Sequence, residues 1–162
     1  MQECLEALDK GKFVTGLAPI TPSSSTPDYV SMKAHQKLTV IIIVDNGSTV
    51  TGSAITLKQA QDVSGTGEKA LEFETVYANE DTGDSDTLVE TAVTSDTFTT
   101  DDTNTKNLLY VIEVDADQLD ADNNFDCVRV GTGDGANMVL CALYYLHAPR
   151  YAPTLDESVI TD

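Results

Sequence analysis

Residues 38–44 read Leu38-Thr39-Val40-Ile41-Ile42-Ile43-Val44, and Asp45-Asn46-Gly47-Ser48 follows them directly. β-branched side chains favour a pleated strand, and a short, continuous apolar run is typical of a strand buried on both faces. The Asn-Gly pair is a strong turn signal. The sequence therefore predicts a core strand over residues 38–44 that ends in a turn.

Short strand patterns of this kind recur along the chain, separated by Gly, Asn and Asp. In residues 70–78 the pattern alternates, which predicts Leu71, Phe73, Thr75 and Tyr77 on one face and Glu72, Glu74 and Val76 on the other. Thr is also abundant, with 21 residues among 162. We therefore expect an all-β fold, namely a β-sandwich with jelly-roll topology, with an immunoglobulin-like sandwich as the second choice. The other predicted strands cover residues 53–59, 88–94, 97–100, 108–114, 125–130 and 138–146.

We divide the chain into an extended N-terminal arm (residues 1–37), a β-sandwich body (38–151) and a C-terminal tail (152–162). Pro19, Pro22 and Pro27 interrupt a Ser-rich stretch, and each proline removes a backbone donor. We expect residues 1–30 to pack little on the body, so deleting residues 1–28 should leave a folded sandwich. The arm has more apolar residues than a linker needs, and these are the predicted partner-binding residues: Phe13, Val14, Leu17, Ile20, Tyr29, Val30 and Met32.

The chain is strongly acidic, with 27 Asp and Glu against 9 Lys and Arg and a net charge of −18. Phosphate binding needs clustered Lys and Arg, so we expect no nucleic-acid partner. Anionic membranes repel such a chain for the same reason, and we expect no membrane partner. The arm is neutral, so the acidic charge lies in the body and tail.

Two acidic loops, residues 81–86 and 115–126, raise the question of a cation site. Counted from Asp120, a calcium-binding EF-hand loop requires Gly at the sixth place and Glu at the twelfth. Phe125 and Gly131 occupy those places, so the EF-hand pattern fails. An irregular cation site stays open as an alternative, but a solvated acidic loop is the preferred interpretation.

The remaining candidates for chemistry have simpler structural explanations. The Gly-rich residues 131–135 lack the Lys of a phosphate loop and predict a β-turn. Cys127 and Cys141 lie in predicted strands, where a small buried side chain is the default. Glu72 and Glu74 share a strand face that we expect to be wet. We therefore predict no catalytic residue, no cofactor and no metal ligand, and we expect that the chain is not an enzyme.

Several segments resemble the capsid cement, or head decoration, proteins of tailed bacteriophages. The likeness covers residues 29–37 leading into 38–42, residues 68–73, residues 111–120 and the closing Pro149-Arg150-Tyr151. The resemblance implies a structural protein on the outer surface of the virion, assembled in the host cytoplasm. It implies that the chain binds across subunits of the major capsid protein, through its arm and β-sandwich, and stabilises the shell. We also expect a homo-oligomer (dimer or trimer), and the resemblance does not decide between the two.

An alternative remains open at the level of the sequence. Phage tail or fibre subunits and surface carbohydrate-binding adhesin domains also use Thr-rich sandwiches. A carbohydrate module displays aromatic side chains on an exposed face, whereas the aromatic residues here lie mostly within strand patterns and the chain has no Trp. We therefore prefer the decoration protein.

Overall fold

The computed structural model describes residues 10–24, 27–151 and 158–161, and eleven strands make up most of their regular structure. Three one-turn 3-10 helices span Pro22–Ser24, Ala116–Gln118 and Ala121–Asn123. In the described part of the chain, no helix has the length and apolar character needed to cross a membrane. The strands are β1 (Gly11–Ile20), β2 (Val30–Ser31), β3 (His35–Asn46), β4 (Ala54–Ala60), β5 (Lys69–Ala70), β6 (Thr75–Asn79), β7 (Val89–Ala92), β8 (Thr97–Thr99), β9 (Asn107–Asp115), β10 (Cys127–Thr132) and β11 (Met138–Pro149).

Eight of these strands pair as one long, nested hairpin. β1 pairs with β11, β2 with β10, β3 with β9 and β4 with β8, and every pair is antiparallel. The hairpin rolls up because β11 also pairs with β3, and β10 also pairs with β4. This nesting is the jelly-roll topology, so the predicted all-β sandwich is confirmed together with its first-choice topology.

The two sheets differ in width. One sheet has six strands in the order β1-β11-β3-β9-β6-β7, and the other has the order β2-β10-β4-β5, with β8 also paired to β4. The extra strands β5, β6 and β7 lie between β4 and β8 in the chain and form an insertion in the jelly roll. This insertion widens the first sheet by two strands.

The core fills the space between the two sheets. In β3 the side chains of Leu38, Val40, Ile42 and Val44 have no solvent exposure, and Leu57 of β4 is equally buried in the opposite sheet. Burying an aliphatic side chain of this size contributes about 1.5–3 kcal/mol. The run of residues 38–44 is therefore a central strand of the sandwich, as the sequence predicts.

The expectation that residues 1–30 pack little on the body is wrong for the described residues. β1 follows β11 from the pair Gly11 and His147 to the pair Ile20 and Leu140. Pro19 does not prevent this pairing because β1 is an edge strand, where a proline can face away from the ladder. Residues 1–9 of the predicted arm lie outside the described residues.

The predicted tail also meets the body in its described part. The backbone N–H of Ser31 in β2 donates a hydrogen bond to the Val159 carbonyl at 2.8 Å, and Val159 is buried. Residues 152–157 and 162 lie outside the described residues.

The alternation predicted for residues 70–78 changes phase halfway. Leu71 and Phe73 are buried as predicted, but Val76 is buried in β6 and Tyr77 points to the opposite side. The reason is that the chain leaves one sheet after β5 and enters the other at β6. A single alternating pattern therefore spans parts of two strands that belong to different sheets.

Candidate functional site

Most of the residues predicted to bind a partner lie inside the chain itself. Leu17, Val30 and Met32 belong to the main hydrophobic core, and Tyr29 packs in a smaller cluster with Cys127. All four predicted residues are less than 8% exposed. Their apolar character is explained by β1, β2 and the adjoining loops, and a partner would not reach them in this fold.

The other three predicted residues lie on β1. Val14 and Ile20 are partly buried and pack against the core. Phe13 is 44% exposed, and its ring stacks on that of Tyr145 with the centroids 4.4 Å apart. Of the seven residues, Phe13 is the one that presents a large apolar surface to solvent, and its contact with a partner stays a prediction.

The six-stranded sheet carries apolar side chains on its outer face as well as its inner face. In β3, Ile41 is half-buried and Ile43 is 50% exposed, and in β11 Val139 is 43% exposed. These residues alternate with the fully buried core residues, and alternate residues of a strand point to opposite faces. The outer side of β3 and β11 is therefore apolar and open to solvent.

The strand register joins these side chains into one continuous surface. Leu143 lies opposite Ile41, and Ile41 lies opposite Val111 on the next strand. The adjacent row places Cys141 opposite Ile43, with Leu109 beyond. Directly opposite side chains have their Cβ atoms about 4.5–5.5 Å apart and contact each other. We name this surface the apolar face; it consists of Phe13, Ile41, Ile43, Tyr77, Leu109, Val111, Val139, Cys141, Leu143 and Tyr145.

The outer face of the second sheet is different. Thr56 of β4 lies opposite Thr97 of β8, and Lys58 lies opposite Arg129 of β10. At one end the loop between β4 and β5 folds over the sheet, and Val63 in this loop packs on the cluster around Tyr29, Ala60 and Cys127. Described residues thus cover apolar side chains on this sheet, whereas on the apolar face of the other sheet Phe13, Ile43 and Val139 are exposed and the remaining residues are partly buried.

Glu68 fastens the covering loop to the second sheet. Its carboxylate accepts hydrogen bonds from Arg129 at 2.6 Å, from Lys58 at 2.5 Å and from the Tyr29 hydroxyl at 2.5 Å. Burial alone would raise the pKa of Glu68, but these three donors outweigh it and lower the pKa to about 2. Glu68 is therefore ionised at neutral pH and has a structural role.

Acidic residues lie around the apolar face on three sides. Asp45 follows Ile43 at one end of β3, Glu113 lies opposite Thr39 toward the other end, and Glu90 of β7 lies opposite Tyr77. Lys37 is engaged by Asp115 at 2.5 Å, and this hydrogen bond, with Glu113 nearby, raises the pKa of Lys37. The ion pairs between described residues do not include Asp45, Glu90 or Glu113.

One corner of the apolar face is aromatic. The His147 ring stacks on Tyr145 with the centroids 5.0 Å apart, so Tyr145 has stacking contacts with both His147 and Phe13. His147 Nε2 lies 3.0 Å from the Thr39 hydroxyl oxygen. The Phe13 and Tyr145 rings face one another across β1 and β11, so this corner extends the apolar face toward the edge strand β1.

Ion pairs within the chain involve carboxylates of both acidic loops. Lys106 contacts Asp81 at 2.8 Å, and Lys69 forms an ion pair with Asp120. Hydrogen bonding by these two lysines lowers the pKa of each carboxyl group. Within the described ranges, three or more His, Cys, Asp or Glu side chains do not converge in a way that could hold a metal ion.

The two described cysteines occupy opposite environments. Cys127 in β10 is buried, and burial together with the neighbouring Asp126 raises its thiol pKa to about 12. The sequence predicts that Cys141 is buried as well, but it is only partly buried and lies on the apolar face opposite Ile43. The correction follows from the outward phase of β11 at residue 141.

The Gly-rich stretch begins inside a strand, since Gly131 and Thr132 belong to β10. A side chain at Gly131 would place its Cβ 2.4 Å from the Thr56 hydroxyl oxygen, so the close approach of β4 explains this glycine. Gly133 then donates its backbone N–H to the Ala54 carbonyl at 2.7 Å. The predicted turn therefore starts later than residue 131.

No protein-family model, curated protein or solved structure matches this chain.

The apolar face is the feature that reasoning from the sequence missed. Its signal was present in residues 38–44, whose apolar run predicts a strand covered on both sides. Among the described residues, the opposite sheet covers one side of this strand, and Ile43 on the other side stays half exposed.

Proposed function

We propose that the chain is a structural virion protein that decorates a phage capsid and stabilises it by docking on subunits of the major capsid protein. The single observation that supports this most strongly is the apolar face on a central strand. Contiguous apolar side chains at the surface mark candidate sites of protein interaction. The resemblance of residues 29–151 to cement proteins is the reason for proposing a phage capsid as the shell that the chain binds.

The shape of the apolar face favours a protein partner over a small molecule. Small ligands bind in concave sites that enclose most of their surface. Residues such as Leu143, Ile41 and Val111 instead lie side by side across the three neighbouring strands β11, β3 and β9. A partner with a matching extended surface would cover them together.

The charge of the rest of the chain suits a protein that is made separately and docks later. A net charge of −18 keeps copies apart in solution, which limits association through exposed apolar surface before a shell is available. On the outside of a capsid this charge faces away from the packaged nucleic acid. The proposed location is therefore the outer surface of the virion, after assembly in the host cytoplasm.

The test uses purified full-length chain and capsid shells isolated from particles that lack it. We expect the chain to cosediment with the shells in a saturable manner and to raise the temperature at which they open. A chain that does not bind the shells at any concentration tested contradicts the proposal. A tail, fibre or adhesin role then takes its place.

A further inference from the structure

The charges at the border of the apolar face bear on what can cover it. Asp45, Glu90 and Glu113 stand at three of its sides, and the ion pairs between described residues include none of these three carboxylates. Lys37, which lies in β3 opposite His147 and Asp115, is already held by Asp115. We name Asp45, Glu90 and Glu113 the acidic rim.

From this arrangement we infer that the occupant of the apolar face is a different protein, one that presents apolar side chains framed by Lys and Arg. This inference rests on the proposed function and specifies the chemistry of the docking surface on the shell subunit. Complementary charges at the border of an interface favour the correct partner and speed its approach. Exposed apolar side chains inside the border supply the area that is removed from water.

A second copy of this chain fits the apolar face poorly. Pairing two copies face to face would bring two acidic rims into one interface, and each copy has a net charge of −18. Like charges placed together at an interface oppose association, and carboxylates that lose water without gaining a partner add to the cost. The expected homo-oligomer would therefore use another surface.

The first experiment asks whether the apolar face is the docking surface. Ile43→Glu places a charge at the centre of the face, and Ile160→Glu is the matched control because Ile160 is 42% exposed and Ile43 50% exposed. We expect Ile43→Glu to weaken binding to shells by about tenfold or more, as for a central interface residue. Ile160→Glu should bind like the wild type. Circular dichroism and thermal unfolding check that both variants keep the fold.

The second experiment asks whether the acidic rim meets basic residues. The triple variant Asp45→Asn, Glu90→Gln, Glu113→Gln removes the rim, and Glu72→Gln, Asp84→Asn, Asp122→Asn removes the same charge elsewhere. We expect the rim variant to bind shells more weakly than the control and to lose much of the salt dependence of binding. Equal or tighter binding by the rim variant would overturn the inference.

Sedimentation of the chain without shells tests directly whether a second copy of the chain occupies the apolar face. If the wild type self-associates and Ile43→Glu dissociates it, a second copy occupies the apolar face and the inference is wrong. An oligomer that Ile43→Glu leaves intact uses another surface and supports the inference.

If the wild type binds shells and Ile43→Glu binds them equally well, the inference fails while the proposed function stands. If the wild type does not bind shells at all, the proposed function fails and the assigned occupant fails with it.

Discussion

The hydroxyl of Tyr144 in β11 accepts a hydrogen bond at 2.9 Å from the backbone N–H of Val130, which lies in the opposite sheet. β2 is too short to reach this N–H, because its pairing with β10 ends at Val128. The same hydroxyl donates to the Asp28 carbonyl at 3.2 Å, just before β2. One buried side chain thus connects both sheets and the entry to β2.

Tyr144→Phe should destabilise the protein because it leaves the buried N–H of Val130 without a partner. We expect the free energy of unfolding to fall by about 1–3 kcal/mol, the usual cost of an unsatisfied buried group. Urea denaturation followed by circular dichroism measures it. Tyr77→Phe, on the outer side of β6, is the control and should change stability little. Equal stability of the two variants would show that the bridge between the sheets is dispensable.

Deleting residues 1–28 should unfold the body, contrary to the expectation from the sequence. The deletion removes β1, exposes the edge of β11 and takes Leu17 out of the core. One buried Leu contributes about 1.5–3 kcal/mol, out of about 5–15 kcal/mol for a whole domain. Thermal unfolding compares this deletion with removal of residues 1–9, which leaves every described strand in place and should preserve a cooperative transition. A cooperative transition at the wild-type temperature after the longer deletion would show that β1 is not an integral strand.

Glu68→Gln should cost stability at neutral pH and little in acid. The folded-state pKa of Glu68 is about 2 against an ordinary value of 4.5, so its stabilising contribution is complete above pH about 4.5. It declines as the pH falls from there toward about 2, because protonation removes the favoured carboxylate. We expect a difference of about 1–3 kcal/mol at pH 7 between wild type and variant. Urea denaturation at pH 7, 4 and 3 measures how this difference shrinks, and a constant difference would contradict the assigned pKa.

Cys141 offers a chemical probe of the apolar face. In a Cys4→Ser background, a maleimide should label Cys141 in the folded chain at least about tenfold faster than Cys127, since reactivity follows exposure and thiolate character. Bound shells should protect Cys141, and mass spectrometry of the labelled peptides measures both effects. Labelling of Cys141 at the same rate on shells as in solution would indicate that docking leaves the face open.

The central strands were predictable because their signals are local. The run of residues 38–44 predicts a strand, and the Asn-Gly turn predicts where that strand ends. The regular spacing of similar runs indicates a sandwich. The spacing alone does not decide the order of the strands, because it fits a jelly roll, the first choice, and an immunoglobulin-like sandwich, the second.

The strand β1 was not predictable from its own residues. Pro19 and the nearby Ser-rich stretch have the composition of a linker, and the partner strand β11 lies more than a hundred residues away in the sequence. Gly16 is needed because a Cβ there would lie 2.3 Å from the Tyr144 ring, a contact that no local pattern reveals. The apolar face could not be predicted for a related reason. A strand with apolar residues on both faces does not indicate which element of the fold covers each face.

The two outer faces of the sandwich differ, since one is apolar and the other carries threonines and ion pairs. A copy that docks through the apolar face turns the threonines and ion pairs of the other sheet, such as Thr56 and the Glu68 network, toward the medium. The described residues of that outer face offer a further copy no matching apolar surface for docking. Coverage should accordingly stop after a single layer, and titration of shells with the chain should reach a fixed plateau however large the excess.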